Sequence, residues 1–151
     1  MLQPIGQLFG KSLKHQKLPH FELSEGVYNS KTITPFHSHD WSLLCLVLKG
    51  SYTENRGAKL YTRQPSTLFF LPAGEPHVSD FSSAKVGIFR IEINPERLAQ
   101  MDEARKRELF RRLTENKGNQ QEVRRTFREV FPEDKLWADE APSQSRGETN
   151  R

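Results

Sequence analysis

The chain has 151 residues, of which 28% are charged and 34% hydrophobic, with a formal charge of +4. That length suits one domain and argues against two, no stretch reaches the ~18 apolar residues of a membrane span, and the start MLQPIGQLFGKSLKHQ lacks the apolar core of a secretory signal. Basic residues alternate with acids along most of the chain, which reads as a solvated face and not a nucleic-acid or membrane surface; a soluble cytoplasmic protein is expected.

Residues 1–20 mix Gly, Lys and Gln with Pro4 and Pro19 and hold no sustained period, so they are expected to form an N-terminal arm that reaches a partner subunit. From Phe21 the pattern becomes short β-like runs: FELSEGVYNS, KTITPFHSH, WSLLCLVLKGSYTE, AKLYTRQ, STLFFLPAG and KVGIFRIEI, separated by Gly, Pro, Asn or Ser. Such spacing predicts a sandwich or barrel over residues 21–94. Leu43 to Leu48 is apolar without a break, which predicts a central strand covered on both faces, and the lone Cys45 within it predicts a buried thiol and no intrachain disulfide. Asn55-Arg56-Gly57 supplies residues tolerant of positive φ, as a tight hairpin requires.

After Ile93 the period switches to helical. Asn94 caps and Pro95 opens a helix carrying Leu98, Met101, Leu109 and Leu113, which Gly118 ends. Asn119 with Glu122 caps a second helix that places Val123, Phe127, Val130 and Phe131 on one face before Pro132 halts it. The two are expected to pack antiparallel as a segment over residues 95–131. Arg105-Lys106-Arg107 and Arg111-Arg112 stand beside Glu103, Glu108 and Glu115, the pattern of helix-surface ion pairs. Residues 132–151 form a tail, expected to be largely disordered from Ala138.

The chemistry concentrates in three histidines. In PFHSHDW, His37 and His39 lie two apart on a strand, so both imidazoles project from one face, and His77 follows the turn Pro72–Pro76, which can return a third imidazole beside them. Three neutral imidazoles make an acceptable site for Zn²⁺, Fe²⁺, Ni²⁺ or Mn²⁺ with positions left open. On the last strand Arg90 and Glu92 alternate with Phe89, Ile91 and Ile93; the charged face is expected to look outwards, and an inward face would make Arg90 a ligand contact. Trp41, Tyr52, Phe69 and Phe81 are the aromatic candidates for a cavity wall.

These residues resemble the cupin superfamily. Its first motif, a His-x-His pair followed by a glutamate and a glycine, is matched by His37-Ser38-His39 and Gly50, and its second, Pro-x-Gly-x-x-His, by Pro72-Ala73-Gly74-Glu75-Pro76-His77. The resemblance covers residues 21–93 and implies a mainly β fold, a double-stranded β-helix or jelly-roll barrel, here followed by two C-terminal helices. Three positions depart from the pattern: the glutamate falls at Leu43 or Leu44, the glycine opening the second motif is Ser66, and the asparagine closing it is Phe81. The glutamate would be the fourth, anionic metal ligand, which Glu54 or Glu92 replaces only if its strand points it inwards.

HSHDWSLLCLVLKGSYTE, TLFFLPAGEPHVSDF and FRIEI with a Pro-initiated helix are similar to the N-terminal effector-binding domain of AraC-type transcriptional regulators. That resemblance implies a stand-alone or truncated sensor: a barrel that takes a small-molecule effector, often without cofactor or metal, in a pocket of His37, His39, Trp41, Tyr52, Phe69, His77 and Arg90, and a homodimer formed through Val123, Phe127, Val130 and Phe131. The family's pair of helix-turn-helix units does not fit after Pro132, so direct nucleic-acid binding by this chain is not expected. The alternative is a metal-dependent cupin enzyme, a dioxygenase or isomerase, whose ion on His37, His39 and His77 polarises substrate or activates O₂.

Overall fold

The computed structural model describes residues 1–3, 9–115 and 119–134. In chain order the strands are β1 (Leu2–Gln3), β2 (Lys11–Lys17), β3 (Phe21–Tyr28), β4 (Thr32–Ile33), β5 (Ser38–His39), β6 (Ser42–Lys49), β7 (Tyr52–Arg56), β8 (Lys59–Arg63), β9 (Leu68–Leu71), β10 (Val78–Phe81) and β11 (Val86–Ile93). The helices follow: α1 (Pro95–Ala99), α2 (Glu103–Glu115) and α3 (Gln120–Val130). A five-stranded antiparallel sheet runs in the order β2-β3-β11-β6-β9, a four-stranded one in the order β4-β10-β7-β8, and β1 pairs with β5 in parallel. The chain is therefore mainly β with helices at its C-terminal side. No helix among the described residues is long and apolar enough to cross a membrane.

The larger sheet is covered on both faces. Leu43, Cys45 and Val47 of β6 join Tyr28, Leu71, Val86 and Ile88 in a core shared with Tyr52 and Phe81 of the smaller sheet. Leu44 and Leu46, one residue out of phase, join Phe21, Leu23, Phe89, Ile91 and Ile93 in a second core under the helices. A strand buried on both sides needs no polar face, which is why β6 reads as an unbroken apolar run.

The helical layer differs from expectation at two points. Asp102 Oδ1 accepts from the Arg105 amide (2.8 Å) and caps α2, so the single expected helix splits into α1 and α2 around a buried Met101. Arg105 Nε donates to the Val130 carbonyl (2.8 Å), joining the start of α2 to the end of α3; the two run antiparallel. The apolar stripe assigned to a dimer partner is used within the chain: Val123, Phe127 and Phe131 are 0% exposed and Val130 6%, in one core with Phe21 and Phe89. The surface charges pair locally, Arg111 with Glu108 and Glu115, Arg112 with Glu129, and Lys106 with Glu103. Gly118 and the tail from Ala138 lie outside the described residues.

The segment expected to be an arm contains two strands. β2 pairs with β3 along the sheet edge, with a register shift between Ser12 and Lys14, and its mostly exposed, lysine-rich face is what an unpaired edge tolerates. In the β7–β8 hairpin Arg56 pairs with Lys59, so Asn55 and Arg56 belong to the strand and the turn is Gly57-Ala58, with Gly57 at φ 61°. Gly50 has φ 77°, and a Cβ there would stand 2.3 Å from the Lys85 carbonyl oxygen, so the space and the conformation both require glycine.

Candidate metal centre

Backbone pairing brings the three histidines together. The His37 amide donates to the His77 carbonyl (3.0 Å) and the His77 amide to the His37 carbonyl (2.8 Å), fixing the two residues side by side. The Gly74 amide donates to the His39 carbonyl (2.8 Å), tying the Pro72–Pro76 turn to β5. The ring centroids lie 4.2 Å apart for His37 and His77, 4.9 Å for His37 and His39, and 5.1 Å for His39 and His77. One ligand atom from each lies within 4.8 Å of the others. Nitrogens bound to one ion at ~2.1 Å sit roughly 3.0–3.4 Å apart, so the widest pair has to close by up to roughly 1.4–1.8 Å to reach a coordinating geometry.

The rings are in the right state to bind a cation. Burial holds the His37 imidazole down to about 4 and the His39 imidazole down to about 2, and lowers His77 as well, so all three are neutral with a free lone pair at neutral pH. His37 Nδ1–H donates to the Pro35 carbonyl (2.7 Å) and His77 Nδ1–H to the Glu75 carbonyl (3.1 Å), which leaves Nε2 of each as the ligand atom. His39 Nδ1 is buried without a hydrogen-bond partner, as a ring nitrogen awaiting an ion or ordered water would be. The donor set and this orphaned nitrogen fit a divalent ion.

The histidines line an internal cavity of about 40 Å³ with Gln3, Phe9, Tyr52, Glu54, Phe69, Phe81 and Arg90. Since one water needs roughly 10–15 Å³ of such space, there is room for an ion and two or three water-sized groups. Tyr52 and Phe69 stand on its wall. Trp41 does not: it lies before β6 starts and packs on a separate depression with Lys17, Leu18, Pro19 and Glu22. Arg90 corrects the outward expectation. In the register Ser24–Arg90–Cys45–Phe69 it shares the inner face, because Phe89, Ile91 and Ile93 serve the helical core instead.

Neither substitute glutamate is free to replace the missing one. Glu54 is buried on the cavity wall, but Arg56 Nε donates to its Oε2 (2.6 Å) and Arg63 Nε to its Oε1 (3.2 Å). Glu92 is buried in the sheet with Oε1 3.5 Å from Arg90 Nη2, and it does not line the cavity. Leu43 stands on the cavity wall and Leu44 in the helical core. Cys45 has its thiol pushed up to about 12 by burial and offers no nucleophile. Gln3 is a polar wall residue that sequence pattern missed, because β1 is only two residues long.

No family model and no curated protein sequence matches the chain. Solved structures do resemble it. An RmlC-like cupin family protein with a double-stranded β-helix fold from Methanocaldococcus jannaschii is similar at 13% identity over 62% of this chain and 87% of that one, with a TM-score of 0.49. A cupin superfamily protein from Desulfitobacterium hafniense has 13% identity, covers 52% and 72%, and has a TM-score of 0.48. A polyketide cyclase from Streptomyces resistomycificus has 25% identity, covers 49% and 54%, and has a TM-score of 0.45. The structural neighbours of this mainly β chain thus include cupin superfamily proteins, and its three-histidine cluster is compatible with a divalent metal.

Proposed function

We propose that this chain is a metal-dependent cupin-type enzyme in which His37, His39 and His77 hold a divalent ion and Arg90 receives the anionic end of a small substrate. The observation that carries the reading is the convergence of three neutral, backbone-anchored imidazoles on one cavity. A bound ion supplies Lewis-acid polarisation of a substrate oxygen. The chain's own groups do the rest. Arg90, 5% exposed and on the cavity wall, brings a guanidinium, the group whose planar fork matches a carboxylate, while it also pairs with Glu92 at 3.5 Å. Behind the wall Arg56 and Arg63 hold Glu54, and Arg90 lies 3.5 Å from Glu92, three guanidiniums to two carboxylates, so an ion on neutral ligands adds to a positive balance that an anionic substrate offsets. Burial raises the Tyr52 hydroxyl well above its usual range and keeps it a protonated donor. Phe69, Phe81 and Leu43 keep bulk water from the walls.

The cavity limits the substrate to a few non-hydrogen atoms beyond the ion, well short of the ~300 Å³ of an ordinary ligand pocket. The effector-domain reading of the same barrel asks for more space than that and for a free dimerisation stripe, which Val123, Phe127, Val130 and Phe131 do not supply.

The test is a thermal-shift series on metal-loaded protein with acetate, glyoxylate and pyruvate. A carboxylate is expected to raise the midpoint beyond metal alone, and Arg90→Lys, which keeps the charge but loses the fork, to remove that increment while keeping the metal shift. Carboxylates without effect, or equally effective in both proteins, would remove the anionic substrate from the account.

A further inference from the structure

The missing glutamate leaves three nitrogen donors without an oxygen, and the wall of the cavity contains one that is suitably free. Gln3 lies in β1, whose parallel pairing sets it opposite His39, while the Ser38 amide donates to the Met1 carbonyl (2.9 Å). Its side chain is only 4% exposed and lines the same cavity as the histidines. Its Oε1 is buried with no hydrogen-bond partner, and the facing His39 has an orphaned Nδ1. A buried amide oxygen and a buried imidazole nitrogen on one wall, both unpaired, are unfavourable unless a further group bonds to them. Other oxygens on the wall are engaged: Thr34 Oγ1 accepts from the Ser79 amide (2.9 Å), and both Glu54 oxygens hold arginines.

We infer that Gln3 Oε1 is the fourth donor to the ion on His37, His39 and His77, supplied by the N-terminal strand in place of the glutamate absent at Leu43 and Leu44. The inference rests on the metal-centre reading above. A carbonyl oxygen is a hard, neutral donor suited to Zn²⁺, Fe²⁺ or Mn²⁺. It completes the site without cancelling its positive charge, which remains for an anionic substrate. It also makes β1 part of the centre: metal binding and docking of residues 1–3 on β5 become one event. Phe9, edge-on to the His37 ring with centroids 4.7 Å apart, covers the same group of side chains.

The test is Co²⁺ titration of the full chain freed of metal by chelation, read by visible absorption bands and by competition with a chelator, on the unaltered protein, His77→Ala, Gln3→Leu and Gln3→Glu. The unaltered protein is expected to bind one Co²⁺ and His77→Ala to lose the bands. Gln3→Leu is expected to bind ~10–100-fold more weakly with displaced bands, and Gln3→Glu, with an anionic oxygen, more tightly with bands displaced again. Unchanged affinity and bands in Gln3→Leu, or weaker binding with unchanged bands, would overturn Gln3 as a ligand and leave the histidine centre standing. Absence of His77-dependent bands in the unaltered protein would overturn both. Should Gln3→Leu fail to fold, Gln3→Glu decides alone, and bands identical to those of the unaltered protein would count against the inference.

Discussion

The two faces of the five-stranded sheet, one backbone apart, follow different rules. On the helix side Phe89, Ile91 and Ile93 of β11 meet Phe21, Leu44, Leu46, Phe127 and Phe131, an apolar interior with Phe21 edge-on to both Phe127 (6.2 Å) and Phe131 (5.0 Å). On the other side the same strand presents Ile88 and Arg90, and its neighbours present Cys45 and Phe69, towards the histidine cavity. Burial is nearly equal on the two faces, but what it accomplishes is not. Under the helices it removes apolar area from water, the main favourable term in folding. Within the barrel it holds ionisable groups and imidazoles away from solvent, which costs stability and leaves lone pairs poised for a cation. The helical layer stabilises the sheet from behind while the inner face carries the histidine cluster.

The largest effect expected from breaking this division is on the helix side. Phe127→Ala should lower unfolding free energy by about 3–5 kcal/mol, as large core truncations do, measured by denaturant titration, with metal affinity per folded molecule unchanged. A fall in metal affinity matching the fall in stability would show that the faces are not separable.

Acid should reach the inner face selectively. Unfolded imidazoles protonate near 6.5, whereas burial holds His37 at about 4 and His39 at about 2 in the folded chain. Below pH 6.5 the unfolded state therefore binds more protons, so the contribution is fully present above that pH and is lost as pH falls towards 4 and then 2. Melting midpoints of metal-free protein should decline from pH 6.5 downwards, and His39→Gln should flatten that limb. Phe127→Ala should lower the whole curve without changing its shape; an acid limb unaffected by His39→Gln would contradict the assignment.

The smallest effect concerns a turn at the edge of both layers. Ser66 has φ 70°, the left-handed region, in the position where the cupin pattern has glycine. Ser66→Gly should stabilise the chain by about 0.5–1 kcal/mol by releasing that strain, while its amide keeps the 2.8 Å bond to the Val47 carbonyl. A destabilised variant would mean that the serine hydroxyl contributes more than the backbone costs.

These contrasts explain how much could be read beforehand. The unbroken run of β6, the Asn119 cap of α3 and the histidine spacing were legible because each depends on local periodicity or a short motif. The direction of Arg90 was not: alternation in FRIEI shows two unlike faces but not that a helical layer takes the apolar one. Nor was the role of Val123, Phe127, Val130 and Phe131, since an apolar stripe looks the same whether it meets its own sheet or a second subunit. β2 has few apolar residues because it is an edge strand, and the Asp102 cap was hidden inside a longer helical period. Gln3 depends on a two-residue pairing that no pattern announces.

The central claim is that the inner face holds a metal through His37, His39 and His77. Elemental analysis of protein purified without an affinity tag, alongside His77→Ala, tests it most directly. The account predicts close to one equivalent of a divalent transition metal per chain in the unaltered protein, retained through dialysis and lost in the variant; a metal-free protein that takes up no Zn²⁺, Fe²⁺, Ni²⁺ or Mn²⁺ on reconstitution would contradict it.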